Sequence, residues 1–175
     1  MNLNSYTEKS REAIFEGQSL ASRHGQSEIM PEHILLALLD QQNGVVPQIV
    51  IKLGRDVGNL RAALSDEINK LPRVSGSQMQ PGIGQRLNQV AQIAENEAKS
   101  MGDEFVSTEH LLLGLASERV QTGAARVLKA AGITKDAVLG VLTSIRGTQR
   151  VTDQNPEGKY QALEKYGRDL TALAQ

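Results

Sequence analysis

His33 and His110 each follow a glutamate at the head of a leucine-rich run, and they stand 77 positions apart in a chain of 175 residues. Two imidazoles brought together could share a metal ion or serve as a pair of bases. A metal site needs further ligands at a fixed spacing, and none stands beside them. The favoured reading is structural: each histidine lies near a helix N-terminus, one edge packed and one nitrogen in water. His24, beside Gly25, is expected to face solvent. Asp103, Glu104 and Glu109 form an acidic cluster. Glu109 in a first helical turn would favour the helix dipole. The same cluster could rim an apolar groove and hold a basic or extended peptide. Thr7 has two roles open to it, a helix cap and a hydroxyl at a groove edge.

Other chemistry is excluded by residue type. The chain has no cysteine, which removes disulfides, thiol catalysis and Cys-ligated metals and suits a cytoplasmic protein. Gly158-Lys159 lacks the upstream glycines of a phosphate cradle, and no HExxH or GxSxG motif occurs. No catalytic, cofactor-binding or metal-ligating residue is assigned. A net charge of −1, with both signs interspersed, gives no nucleic-acid footprint. The N-terminus is no secretory signal, and Ile34–Leu39 and Ile49–Ile51 are too short to span a bilayer.

The elements that must position these residues come in two copies. Ala21, Gly25, Glu32, His33, Leu35, Leu36 and Leu38 recur as Ala98, Gly102, Glu109, His110, Leu112, Leu113 and Leu115. Val50, Ile51 and Lys52 are answered by Val127, Leu128 and Lys129, and after one inserted residue Gly54, Leu60 and Leu64 by Gly132, Val138 and Leu142. Aromatic residues make up only 3%, so the core must be aliphatic, which suits packed helices. The punctuation repeats as well. Thr7, Asp56, Ser107, Thr122 and Thr134 are placed as N-caps, with Pro31 and Pro47 as helix openers. Gly25, Gly54, Gly102 and Gly132 are placed as stops. Met30 stands where Ser107 stands and cannot cap.

The expected fold is all-α: a duplicated four-helix unit of about eight helices, pseudo-twofold, then a linker and a partial helix. The expected divisions are a first repeat over 1–71, a connector over 72–83, a second repeat over 84–147, a flexible linker over 148–159 and the start of a helix over 160–175. Tyr160, Leu163, Tyr166, Leu170 and Leu173 give that last helix a narrow apolar stripe.

Two copies of a helix ending in glycine, a short loop and an EHLLLGL-type helix resemble the Clp N-terminal repeat. The tail Asn155-Pro156-Glu157-Gly158-Lys159-Tyr160, continuing to Thr171, is similar to the segment leading into the first ATPase module of ClpB-type AAA+ disaggregases. The resemblance implies a non-catalytic domain that engages unfolded or aggregated polypeptides and passes them to a pore; the charge and the lack of a long apolar stripe outside the tail favour a monomer. ATP and Mg, a hexameric ring and a DnaK-type partner would belong to the parent protein, with Walker motifs beyond Gln175. By position, it assigns substrate handling to Thr7, Asp103 and Glu109. It places an apolar groove at Leu87, Val90, Ala91, Ile93, Ala94 and Leu111. The alternative is adaptor docking, as in ClpA- or ClpC-like protease unfoldases.

Overall fold

The computed structural model describes residues 1–75 and 80–160. A 3₁₀ turn, Leu3–Ser5, leads into α1 (Glu8–Arg23), α2 (Pro31–Asp40), α3 (Val45–Lys52) and α4 (Val57–Asn69). The second set is α5 (Gln85–Ser100), α6 (Thr108–Ala116), α7 (Gly123–Ala130) and α8 (Lys135–Arg146). Side-chain caps hold several of these starts. Thr7 accepts from the Ser10 N–H at 3.2 Å, Asp56 from Gly58 at 2.7 Å, Thr122 from Ala125 at 2.9 Å and Thr134 from Ala137 at 3.2 Å. Gly44, not Pro47, precedes α3, so the proline sits inside the first turn. Gly25 and Gly102 follow α1 and α5 at φ of 66° and 70°. That left-handed turn would cost a residue with a side chain roughly 1–2 kcal/mol.

The two sets pack about a pseudo-twofold axis. α1 lies on α2 as α5 lies on α6, and α4 meets α7 as α8 meets α3. α2 and α6 cross at the centre, where every residue from Pro31 to Leu39 and from Thr108 to Leu115 is buried. An apolar run of this kind is stable only when covered on all sides. Each fully buried Leu or Ile contributes about 1.5–3 kcal/mol. Among the described residues no single helix is long and apolar enough to cross a membrane.

The repeats are also tied by reciprocal strand pairing. β1 (Glu28–Ile29), ahead of α2, pairs in parallel with β2 (Gly82–Ile83), ahead of α5. Tyr6, ahead of α1, bridges in parallel to Val106, ahead of α6. The repeat relation carries Tyr6 to Ile83 and Ile29 to Val106, so each repeat's lead-in pairs with the other repeat's loop. Glu32 makes a further cross-repeat tie: its carboxylate accepts from the Gly123 N–H at 2.6 Å and closes the start of α7. β2 lies in the stretch expected as a plain connector.

The stretch expected as a flexible linker is bound to the body. Val151, Pro156, Glu157 and Tyr160 are buried. The Glu104 N–H donates to the Val151 carbonyl at 2.7 Å, and the Glu8 N–H to the Gln154 carbonyl at 2.8 Å. Glu8 opens α1, and the first N–H groups of a helix have no partner within it, whereas Glu104 donates from the loop ahead of α6. A polar segment can therefore bind by supplying acceptors to a helix start. Tyr160 is the described end of the expected apolar stripe; Leu163, Tyr166, Leu170 and Leu173 lie outside the described residues.

Candidate functional site

Each histidine takes the place of the usual Glu or Gln in a capping box. His33 Nδ1 accepts from the Met30 N–H at 2.9 Å, and His110 Nδ1 from the Ser107 N–H at 2.9 Å. A backbone N–H can only donate, so the ring proton is on Nε2. His33 passes it to Gln26 Oε1 at 2.6 Å, and His110 to Asp103 Oδ2 at 2.7 Å. Both rings are fully buried and both nitrogens of each are engaged, which corrects the expectation of a solvated nitrogen. It also explains how α2 starts without a capping side chain at Met30. Burial, and then the charge of His24, lowers the His33 pKa to about 4. Among the described residues no group of three or more His, Asp or Glu is disposed to hold a metal.

Around His110 the network becomes ionic. Asp103 takes two hydrogen bonds from the Arg146 guanidinium, at 2.9 and 2.7 Å, and one from the Val151 N–H at 2.9 Å. Burial opposes the ionisation of Asp103. The bonds from His110, Arg146 and Val151 outweigh it and hold the carboxyl well below the usual range. Arg146 also reaches Glu109 at 3.5 Å and lies 5.8 Å from the centre of the Tyr160 ring. The Thr7 hydroxyl donates to Glu157 Oε1 at 2.8 Å, and the Thr108 N–H, first in α6, donates to the same oxygen at 3.3 Å. Burial, and then the charge of Glu109, raises the Glu157 pKa to about 7.

Thr7, Asp103 and Glu109 thus share one network, but all three are buried and none rims an open groove. The expected groove face is corrected likewise. Leu87, Val90, Ala91 and Ala94 form the stripe by which α5 packs on α6, and Leu111 lies beneath it; none is more than 2% exposed. Ile93 is the exception. It lies off that stripe, half-buried, and with the half-buried Ala116 it lines a cleft of about 470 Å³ among α5, α6 and the turn into α8, over Leu113 and Ile133, which are as buried as the stripe itself. The rim carries both charges, with Lys135 paired to Glu97 at 2.8 Å and Lys129 to Glu118 at 2.9 Å. A cleft between α1 and α2 overlaps the pseudo-twofold image of this one at Glu16, Asp40 and Gln41, and Glu16 stands there where Ile93 stands here.

Sequence reasoning missed Arg146 and Glu157, and it missed Leu113, Ala116 and Ile133 as cleft residues. The repeat held a signal for the first: Arg146 stands at the position of Ile68, a charge where the other copy is apolar. Glu157 has no counterpart to compare.

A profile of the Clp repeat (R) N-terminal domain matches residues 5–131. The chaperone protein ClpB of Nitratidesulfovibrio vulgaris is 40% identical over 178 residues, an alignment covering all of this chain and 21% of the relative. The chain therefore spans about a fifth of that relative's length. Among solved structures, the Hsp104 N-terminal domain of Candida albicans matches at a TM-score of 0.75 and 20% identity, over 87% of this chain and 99% of that one. A ClpV N-domain in complex with a VipB peptide matches at 0.66 and 16% identity, over 81% and 86%. At these identities the structural matches establish the shared fold.

Proposed function

The chain belongs to the Clp repeat N-terminal domain family, and from that premise we propose that it is the substrate-engaging domain of a ClpB-type disaggregase. On this reading it binds exposed apolar segments of unfolded or aggregated polypeptide weakly and delivers them to an ATP-driven pore formed by the rest of a hexameric parent. A DnaK-type chaperone would cooperate with that parent. No ATPase module lies within these 175 residues.

The observation that carries the reading is the Ile93 cleft. It is open, Ile93 and Ala116 offer apolar surface in it, and its rim holds both charges in pairs that leave little net field. Such a surface selects for apolarity and not for sequence. A cleft this size takes two or three side chains, each contributing about 1.5–3 kcal/mol against the freedom lost on association. The result is weak, promiscuous capture, which avidity in an oligomer would strengthen. The first-repeat cleft, with Glu16 on its wall, is unsuited to the same ligand. Thr7, Asp103 and Glu109 contribute by holding the 148–160 segment to the body, not by touching the polypeptide.

The test is a methyl NMR titration of the chain with a permanently unfolded, apolar-rich polypeptide. Shifts confined to Ile93, Leu113 and Ile133 are expected. Shifts around Phe15 instead, or none at millimolar polypeptide, would withdraw the cleft. Binding only of a folded adaptor would favour the protease-unfoldase alternative.

A further inference from the structure

The second-repeat cluster holds three buried carboxyl groups, Asp103, Glu109 and Glu157, against one guanidinium, that of Arg146. Asp103 has the bidentate pairing and the His110 and Val151 bonds. Glu109 has the more distant Arg146 contact and the Tyr160 hydroxyl at 3.4 Å. Glu157 has no cation. It is held by two neutral donors, the Thr7 hydroxyl and the Thr108 N–H. Glu109 Oε2 and Glu157 Oε2 are both buried without a hydrogen-bond partner among the described residues. In a cluster short of positive charge, two buried carboxylate oxygens without donors favour the neutral form of one carboxyl. Glu157 is that carboxyl, because it alone lacks a charged partner.

Glu157 is also the side chain that anchors the segment leaving α8. The segment's other ties include backbone bonds from Glu8 and Glu104, the bond from Val151 to Asp103, bonds from Arg146 to the Gln149 carbonyl, from Gln154 to the Asn4 carbonyl and from Tyr160 to Glu109, and the burial of Val151 and Tyr160. The groups that face Glu157 are Thr7 ahead of α1, Thr108 and Glu109 of α6 and Tyr160 in its own segment, and through Glu109 the cluster continues to Arg146 of α8, Asp103 and His110. We propose that residues 148–160 form a pH-operated clasp, closed on the body while Glu157 is neutral and released when it ionises. The clasp sets whether the chain leaves the domain along a fixed path or freely. This goes beyond polypeptide capture and does not depend on it.

The sign follows from the environment. The docked pKa of about 7 lies above the ordinary glutamate value of 4.5. Docking is therefore strongest in acid and weakens as pH rises, levelling off once the docked group has itself ionised. Between pH 5.5 and 8 the ratio of docked to released chain falls about thirtyfold for that shift.

Hydrogen exchange of the 175-residue chain tests this. The Glu8 and Glu104 amides belong to the body but donate to the segment, so their protection reads the docking equilibrium. After correction for the intrinsic pH dependence, their protection is expected to fall about thirtyfold from pH 5.5 to 8. Over the same range the Thr7 amide, bonded to the Val106 carbonyl, should stay constant. In Glu157→Gln, which cannot ionise, the Glu8 and Glu104 protection should be level. Protection independent of pH in the wild type, or an equal fall in Glu157→Gln, would overturn the clasp.

Discussion

Gln26 and Asp103 occupy the same position in the two repeats, and each accepts the Nε2 proton of its own histidine. Gln26 spends its amide on the Ile68 carbonyl at 2.7 Å, whereas Asp103 faces the guanidinium of Arg146, the residue at the position of Ile68. One geometry has thus been built once in neutral form and once in charged form.

That pairing can be exchanged. Arg146→Ile alone leaves Asp103 and Glu109 buried without their cation, and a loss of about 3–5 kcal/mol is expected. Adding Asp103→Gln recreates the first-repeat pair and should recover about 2 kcal/mol of it. Urea midpoints of the two variants decide the matter, and a double variant no more stable than the single one would refute the equivalence.

His33 makes the fold acid-sensitive over a definite window. Its folded pKa of about 4 lies below the ordinary value of 6.5, so between these pH values the unfolded chain takes up a proton that the folded one refuses. Stability should fall as pH drops through that window, by on the order of 3 kcal/mol. His33→Gln keeps a capping residue at the third helical position and should lack this component in a pH series of urea melts. Asp103 adds a second loss at lower pH, as its depressed carboxyl is finally protonated.

Two glycines should respond oppositely to alanine. A Cβ on Gly114 would lie 2.6 Å from the Val90 carbonyl oxygen, where α6 crosses α5, whereas one on Gly140 would meet nothing within 4 Å. Gly114→Ala is expected to destabilise by about 1–3 kcal/mol through displacement of packed backbone. Gly140→Ala should stabilise by about 0.5–1 kcal/mol by restricting the unfolded chain and favouring helix. Thermal melts of the pair give both signs.

Ile93→Glu places in the second cleft the residue its first-repeat counterpart already has. Binding of an apolar polypeptide should weaken about tenfold or more, in keeping with the loss of one buried aliphatic side chain. Phe15→Ser, in the other cleft, should leave affinity unchanged despite removing an exposed aromatic that is 56% accessible. Equal losses in both variants would mean that no single cleft is the site.

The helical duplication was legible because caps and stops are position-specific. Thr134 and Gly102 could be read by residue type alone, and they stand where expected. The cleft was not legible, because an apolar stripe at helical spacing looks the same whether it faces a partner helix or solvent. Leu87 to Ala94 turned out to be the covered face, and Ile93, off the stripe, the open one. Thr7 bonds to Glu157 across 150 residues and Asp103 to Arg146 across 43, and such contacts leave no local pattern. The docked segment was hidden for a related reason. Its composition is that of a loop, and what binds it is the unmet hydrogen-bonding need of two helix starts.

The reciprocal strand pairing bears on what one repeat could be by itself. A lone half would carry its own lead-in and its own loop with neither paired, since each finds its partner across the axis. Two copies of a single half, related by a true twofold, would supply both missing partners at once. The two halves of the chain thus stand to each other as the subunits of a twofold dimer would, joined into one polypeptide. The tether leaves the halves free to differ, so that one cleft carries Glu16 where the other carries Ile93.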